Sequence, residues 1–306
     1  MKRKNKKMKN LFIRMKYKLN MNNCSYFIKD KALFGSYPTQ QSVEELEQEG
    51  VRYFIDLTCQ DEKHITPYKT KYTHIKYPIT DRSVPEDIHT FCLLVLKTCE
   101  IIRNLRKNDR IYINCRGGHG RSGLLVASIL CYIFNLTPYD ALIYTSKCHS
   151  NRSVMREKWR KIGAPQTYQQ KKFIYKLFQP INMNKIYKHS IYNYKLYIKD
   201  NTFLDVFHAY NYFKEMHQNN PKNIIFNELD FELKKSWDCI KEQIMKYIVF
   251  KSFDTNPELK ENLINSYLRP IIAHLDGDSY WGIGKDNTGQ NRLGHILDEI
   301  RLSFIL

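Results

Sequence analysis

What this 306-residue chain lacks narrows it first. No apolar run approaches the roughly twenty residues needed to cross a bilayer, and the first residues hold no long apolar core of a secretory signal, so a protein free in solution is expected. The eight cysteines, at 24, 59, 92, 99, 115, 131, 148 and 239, form no Cys-x-x-Cys pair and no regular framework. That pattern argues against a zinc site or a disulfide scaffold. It fits a reducing compartment, the cytoplasm, with the nucleus also open. Acids are missing from the first eighteen residues, where Lys2, Arg3, Lys4, Lys6, Lys7, Lys9, Arg14, Lys16 and Lys18 supply half of the net charge of +18. Such a block, taken as residues 1–22, is ordinarily a solvated arm. Its alternative is docking to an anionic partner, RNA or another nucleic acid, a membrane surface, or an import receptor, and its composition does not select among these. Glycine is scarce as well, twelve in all, yet four fall at 117, 118, 120 and 123.

Those glycines lie in Ile111-Tyr-Ile-Asn-Cys-Arg-Gly-Gly-His-Gly-Arg-Ser-Gly, followed by an apolar segment from Leu124 to Phe134. The pattern reads as strand, loop, helix. A helix N-terminus presents unpaired backbone N–H groups and the positive end of the macrodipole, and glycines let the backbone curl those donors around one anion. The expected phosphate cradle is Arg116, Gly117, Gly118, His119, Gly120 and Arg121. Such donors also favour a thiolate, so Cys115, beneath the anion, is positioned to attack phosphorus. Arg121 closes the turn with a planar fork that can hold two phosphate oxygens, and Ser122 can hydrogen-bond the sulfur as it leaves. His119 is expected to face solvent and shape the rim, an acid–base role being the alternative.

At these residues the chain resembles the cysteine-dependent phosphatases, the tyrosine and dual-specificity family, whose signature is Cys, five residues, Arg, then Ser or Thr. The family usually has His before the nucleophile, where this chain has Asn114. That residue helps orient the loop and favour the thiolate, so the departure bears on rate more than on the reaction.

The order of elements agrees. Ala32 to Pro38 reads as a strand entering a turn, Ser42 with Glu45 as a capping box for a helix to about Gly50, and Val51 to Leu57 as an apolar strand. Strand, helix, strand implies an α/β domain with a central, mostly parallel sheet flanked by helices. A further strand from His74 ends in a polar loop before a helix at Asp87. Leaving-group protonation needs an acid from outside the phosphate loop. In the resembling family an Asp in such a loop, shortly before a Pro, has this role, which points to Asp81 before Pro85. Asp87 competes but more simply caps the helix. Thr137 and Pro138 start another helix. Pro165 to Phe173 resembles a family segment whose Gln orients the hydrolytic water; Gln170 matches, and a plain surface-helix role is the alternative.

The phosphatase-like domain is expected over 23–178, with 179–188 as a linker interrupted by Pro180, Asn182 and Asn184. From 189 to 306 the spacing turns mainly helical, over Phe203–Met216, Phe231–Phe250, Pro257–Leu268 and Leu293–Phe304. Here Asp278-Ser-Tyr-Trp-Gly-Ile-Gly and Gly289-Gln-Asn-Arg-Leu-Gly, with Trp237, Lys251 and Asn256-Pro-Glu-Leu, resemble the NADAR or YbiA-like family, associated with cleaving N-glycosidic bonds of ribosides and ADP-ribose. Asp278, Trp281 and Asn291 are the candidate ligand residues, and Tyr210 could add to an aromatic pocket; Trp281 as core is the plainer reading. The family's helical Glu is Phe207 here, and a second Glu aligns with Ala273. Phenylalanine cannot transfer a proton, so a degenerate domain is expected.

Together these features imply a phosphatase working through a cysteinyl-phosphate, with no metal or cofactor, acting on a phosphoprotein. The alternatives are an RNA 5′-phosphatase, a phosphoinositide phosphatase, a phosphate-binding pseudophosphatase, or an N-glycosidase through the second domain. The pairing of domains in a Lys-, Asn-, Ile- and Tyr-rich chain also resembles tyrosine phosphatases of giant DNA viruses. The oligomeric state is not legible.

Overall fold

The computed structural model describes residues 23–63, 65–187, 191, 195–198, 201–219 and 236–305, so the basic arm lies outside the described residues. The chain divides into two compact units between Phe178 and Gln179. Among the described residues no helix is long and apolar enough to cross a membrane.

The first unit begins with the hairpin β1 (Cys24–Ile28) and β2 (Ala32–Ser36), then α1 (Gln40–Gln48), β3 (Val51–Asp56), β4 (Thr73–Lys76), α2 (Ile88–Asn104) and β5 (Arg110–Cys115). Four helices close it, α3 (Arg121–Phe134), α4 (Pro138–Ser150), α5 (Glu157–Ile162) and α6 (Tyr168–Leu177). The sheet order is β1-β2-β5-β3-β4, with only β1 antiparallel. A parallel sheet needs both faces covered, and its strands read accordingly as apolar runs. On one face Phe54 and Tyr112 pack with Val43 and Leu46 of α1. α3, whose residues Arg121 to Cys131 are all buried, packs against β5 and β2 and is flanked by α2, α4 and α6.

The register decides where chemistry can occur. Ser36 pairs with Cys115 across β2 and β5, and Asp56 pairs with Asn114 across β3 and β5. The loops after β2, β3, β4 and β5 therefore leave the same carboxyl edge of the sheet, where open α/β sheets bind their ligands.

Two local expectations change. The cap of α1 is Thr39, whose hydroxyl accepts from the Ser42 N–H at 3.2 Å, rather than a box of Ser42 and Glu45; the helix starts two residues before Ser42 because Thr39 has the extended backbone a cap needs. Asp87 does cap α2, accepting from the His89 N–H at 2.8 Å.

The second unit holds β6 (Ile181–Asn182), α7 (Met183–Ile186), β7 (Leu196–Ile198), β8 (Asn201–Phe203), α8 (Val206–Asn219), α9 (Trp237–Asp254), α10 (Pro257–Ile264), β9 (Ile271–Ile272) and α11 (Arg292–Ile305). It is mainly helical, with β6 paired to β9 and β7 to β8. The stretch expected as a linker is part of this unit: Ile181, Met183, Ile186 and Tyr187 are buried in its core, and Asn182 interrupts the apolar pattern because it caps α7. Phe203 ends a strand, so the helix after it begins at Val206, and α10 stops at Ile264. The expected start at Phe231 lies outside the described residues.

Candidate active site

Cys115 is the last residue of β5, and α3 begins six residues later at Arg121, so the five residues between them form one tight loop at the sheet edge. Gly118 has φ +71°, and a Cβ there would lie 2.4 Å from the Gly35 carbonyl carbon. Only glycine meets both demands. Arg152, buried behind the loop, donates to the Gly118 carbonyl at 2.9 Å and the Phe34 carbonyl at 3.0 Å, with its guanidinium over the Phe34 ring. Burial lowers the Arg152 pKa to about 10. The Cys115 sulfur is buried and lies 3.5 Å from the Ser122 hydroxyl.

Arg121 is 1% exposed and is held along one edge of its guanidinium. Both Nη atoms reach the Glu62 carboxylate at 2.6 Å, Nη1 also donates to the Ile79 carbonyl at 2.9 Å, and Nη2 to Asp81 at 3.0 Å. Its Nε has no partner among the described residues. Burial works against the Arg121 charge, but the Glu62 hydrogen bonds and the charges of Cys115, Glu62 and Asp81 outweigh it and hold the pKa above its ordinary value. For Glu62 burial likewise pushes the pKa up, and the hydrogen bonds and charge of Arg121 bring it below the usual value.

Asp81 also accepts from Arg116 Nη2 at 2.6 Å, so both its oxygens are engaged by arginines of the loop and helix. Arg116 Nε lies 3.5 Å from Glu62. His119 does not face solvent as a rim residue. Its Nδ1 lies 2.7 Å from His149 Nε2 and its ring stacks on Trp159 at 4.7 Å, because an aromatic surface is available behind the loop. Burial, then the Arg152 charge, pushes His119 down to about 4 and His149 to about 3.

Asn114 is fully buried, donating to Asp56 at 2.9 Å and accepting from the Tyr68 hydroxyl at 3.3 Å. Tyr68 in turn stacks on His74. Gln170 is buried rather than a surface residue. It donates to the Ser83 carbonyl at 2.9 Å, accepts from the Thr167 N–H at 3.1 Å, and would meet any Cβ placed on Gly120. The structure thus brings Cys115, Arg121, Ser122, Asp81, Arg116 and Gln170 together around the loop, and leaves Asp87 on its helix cap.

In the second unit the proposed ligand residues hold backbone instead. Asp278 accepts from the N–H groups of Tyr280 and Trp281 at 2.8 and 2.7 Å, shaping a turn. Asn291, with φ +54°, bonds the Ala273 N–H and the Ile271 carbonyl, both at 2.8 Å. Trp281 is 6% exposed, edge-on to Tyr210 within the core. Polar side chains at a turn satisfy orphan backbone groups, and Asp278 and Asn291 both do so here. Phe207 packs on the same core, and Ala273 is fully buried. The polar cluster sequence reading missed is Glu242, which pairs with Arg292 and accepts from the Tyr280 hydroxyl at 2.6 Å.

A cysteine at the end of a central parallel strand, a glycine loop and a buried arginine opening the next helix define a cysteine-dependent phosphatase domain. A family model described as "Polymorphic toxin system, DSP-PTPase phosphatase" matches residues 31–134, and the NADAR domain model matches 155–304. The "Putative tyrosine phosphatase 197R" of Invertebrate iridescent virus 6 is 31% identical over 294 residues, covering 91% of this chain and 94% of that protein. The chain belongs to the family of that viral protein, and its own residues join a DSP-PTPase phosphatase match to a NADAR match. The "Putative tyrosine phosphatase 067L" of Invertebrate iridescent virus 3 is 37% identical over 160 residues, covering 52% of this chain and 66% of that protein. N-glycosidase YbiA of Escherichia coli is 36% identical over 69 residues, 22% of this chain and 43% of YbiA, so the chain spans under half the length of that relative. Among solved structures, kinase associated phosphatase shows 18% identity and a TM-score of 0.40, covering 53% of this chain and 95% of that one. Tk-PTP shows 20% identity and a TM-score of 0.38, covering 50% and 94%.

Proposed function

We propose that the first unit hydrolyses phosphotyrosine in proteins, with phosphoserine and phosphothreonine as further substrates, through a phosphocysteine on Cys115. The observation that carries this is the setting of Arg121: buried, fixed by Glu62 and the carbonyls of Leu57 and Ile79, with Nε unpartnered among the described residues, at the end of the loop that begins at Cys115. A guanidinium held that way is preorganised for the equatorial oxygens of a transferring phosphoryl group.

In the first step the Cys115 sulfur bonds phosphorus as the bond to the ester oxygen breaks, and Asp81 gives that oxygen a proton. To do so the Asp81 carboxyl must release an arginine contact, so its two bonds to Arg116 and Arg121 exchange as substrate enters. In the second step water attacks phosphorus, Asp81 takes its proton, and inorganic phosphate and the Cys115 thiolate form. Ser122, at 3.5 Å, stabilises the departing sulfur. In this reading Gln170, whose amide adjoins Gly120, orients that water.

Two contacts support a phosphoprotein over RNA or a phosphoinositide. A substrate with several phosphates gains from extra free cations in the loop, whereas Arg116 is engaged by Asp81 and Glu62 and His119 faces inward with its pKa lowered. The basic arm would act at the level of localisation or docking. Hydrolysis of an aryl phosphate from pH 5 to 8 tests the reading. Turnover should vanish in Cys115→Ser, and in Asp81→Asn should fall about 100- to 10,000-fold with a flattened basic limb; absence of turnover by folded wild type sinks it.

A further inference from the structure

The helices α4 and α6 each bury one face and leave the other bare. α4 buries Ala141, Tyr144 and Cys148, and α6 buries Phe173, Ile174 and Leu177. A surface helix normally turns charged and polar residues outward. On α4 the outward stripe at i, i+3, i+4 and i+7 is instead Tyr139, Leu142, Ile143 and Ser146, with Tyr139 61% and Ile143 44% exposed. On α6 the same spacing gives Tyr168, Lys171, Lys172 and Tyr175, with Tyr168 78% exposed. The two stripes line one groove of about 570 Å³. Neither lysine has an ion-pair partner among the described residues.

We propose that this groove docks a segment of the phosphoprotein substrate that presents large apolar side chains flanked by acidic residues. The proposal rests on the protein-phosphatase reading for the identity of the partner, and on the groove for its chemistry. Contiguous exposed apolar surface on a domain marks a partner site, and a groove lined by stripes of two helices accepts an apolar ridge. Tyrosine offers wide contact area at low entropic cost. The unpaired Lys171 and Lys172 call for carboxylates in the occupant. A nucleic-acid strand could use the tyrosines and lysines, but the aliphatic surface of Leu142, Ile143 and Ala164 offers it neither stacking nor phosphate contacts.

The groove is joined to the active site through the segment between α5 and α6 and through α6 itself. Ala164, which lines it, lies where a Cβ on Gly123 would come within 2.9 Å, and Gly123 is two residues past Arg121. On α6 the residue that carries the loop contact is Gln170, between Tyr168 and Lys171 in sequence but on the buried face. A helix is about 10–12 Å across and an extended residue spans about 3.3–3.6 Å, so at least about three to four extended residues separate a docked segment from a phosphate at Cys115.

The test uses the full chain and a set of unphosphorylated peptides of about twelve residues, each with two leucines one helical turn apart and from zero to six aspartates around them, read by fluorescence polarisation. Affinity should rise with aspartate content, fall at least about tenfold in Ile143→Asp, and reverse its charge preference in Lys171→Glu/Lys172→Glu. Joining the best peptide to phosphotyrosine through about six residues should lower KM about tenfold in wild type only, with aryl phosphate turnover unchanged in all three proteins. No peptide binding, or binding equal in the variants, overturns the proposal. So does loss of oligouridylate affinity alone in the variants, which would make the occupant nucleic acid, or a shift from dimer to monomer, which would make it a second copy. Failure of the phosphatase reading looks different: peptides bind, and no aryl phosphate is hydrolysed.

Discussion

Glu62 and Arg121 form a two-pronged ion pair, each carboxylate oxygen 2.6 Å from its own guanidinium nitrogen, across 59 residues of chain. The pair fixes the plane of the guanidinium, and with it the direction in which Nε points. In Glu62→Gln the shape is kept and the charge lost, so kcat/KM toward an aryl phosphate should fall about 10- to 100-fold with little change in fold, since charge-assisted pairs are about twice as strong as neutral ones and small misplacements are costly. In Glu62→Ala a buried cation loses its main partner, and urea unfolding should register a loss of about 2–4 kcal/mol. Unchanged kinetics in both variants would remove Glu62 from the catalytic apparatus.

Gly118 should tolerate no side chain. Alanine there faces a backbone carbonyl 2.4 Å away and a φ of +71°. Gly118→Ala is expected to cost about 2–4 kcal/mol and to abolish aryl phosphate turnover, because relieving the clash moves the loop off its anion-binding shape. Circular dichroism melting and a steady-state assay on the same sample check both parts.

The His119 and His149 pair sets a pH limit on stability. Both have folded pKa values well below the ordinary 6.5, near 4 and 3, through burial and the charge of Arg152, with Arg160 also acting on His149. As pH falls below about 6.5 the unfolded chain takes up protons first, so stability that is complete above that pH is lost progressively toward 4. Wild type should therefore lose more Tm between pH 6.5 and 4.5 than His119→Asn/His149→Asn, by a few °C on the usual conversion. Parallel curves for the two proteins would show that the pair is not held neutral.

Asn291 is expected to matter for stability. Asn291→Ala leaves the Ala273 N–H and the Ile271 carbonyl without partners in a buried place. The second unit should lose about 2–3 kcal/mol while aryl phosphate turnover by the first unit is retained. A variant that melts like wild type would return Asn291 to the list of ligand candidates.

The parts legible from sequence were those whose chemistry is local. Cys115, the loop glycines and Arg121 fall within seven residues, and Asp87 declares its cap by standing one residue before an apolar helix. Glu62 left no such trace: it lies in an ordinary polar loop after β3, and only the sheet register brings it to Arg121. Arg152 reads as one more surface cation until α4 and the β2 strand are seen to enclose it. Asp278 and Asn291 are ambiguous for the opposite reason, since the turn residues that decorate a ligand loop are the same types that satisfy backbone. His119 was misplaced because neither His149 nor Trp159 is near it in sequence. A single signal for Glu62 did exist, a carboxylate six residues past the parallel strand that ends beside the strand of Cys115.

The crossing register of the sheet has one further implication, for biosynthesis. Cys115 emerges from the ribosome early, but the groups around its loop come from Ser36, Glu62, Asp81, Arg152 and Gln170, the last of them more than fifty residues later. A nascent chain that stops before Thr167 carries the entire signature motif and no finished site. On the proposed reading, activity would begin only with completion of the domain, and a fragment ending before Thr167 should show no aryl phosphate turnover.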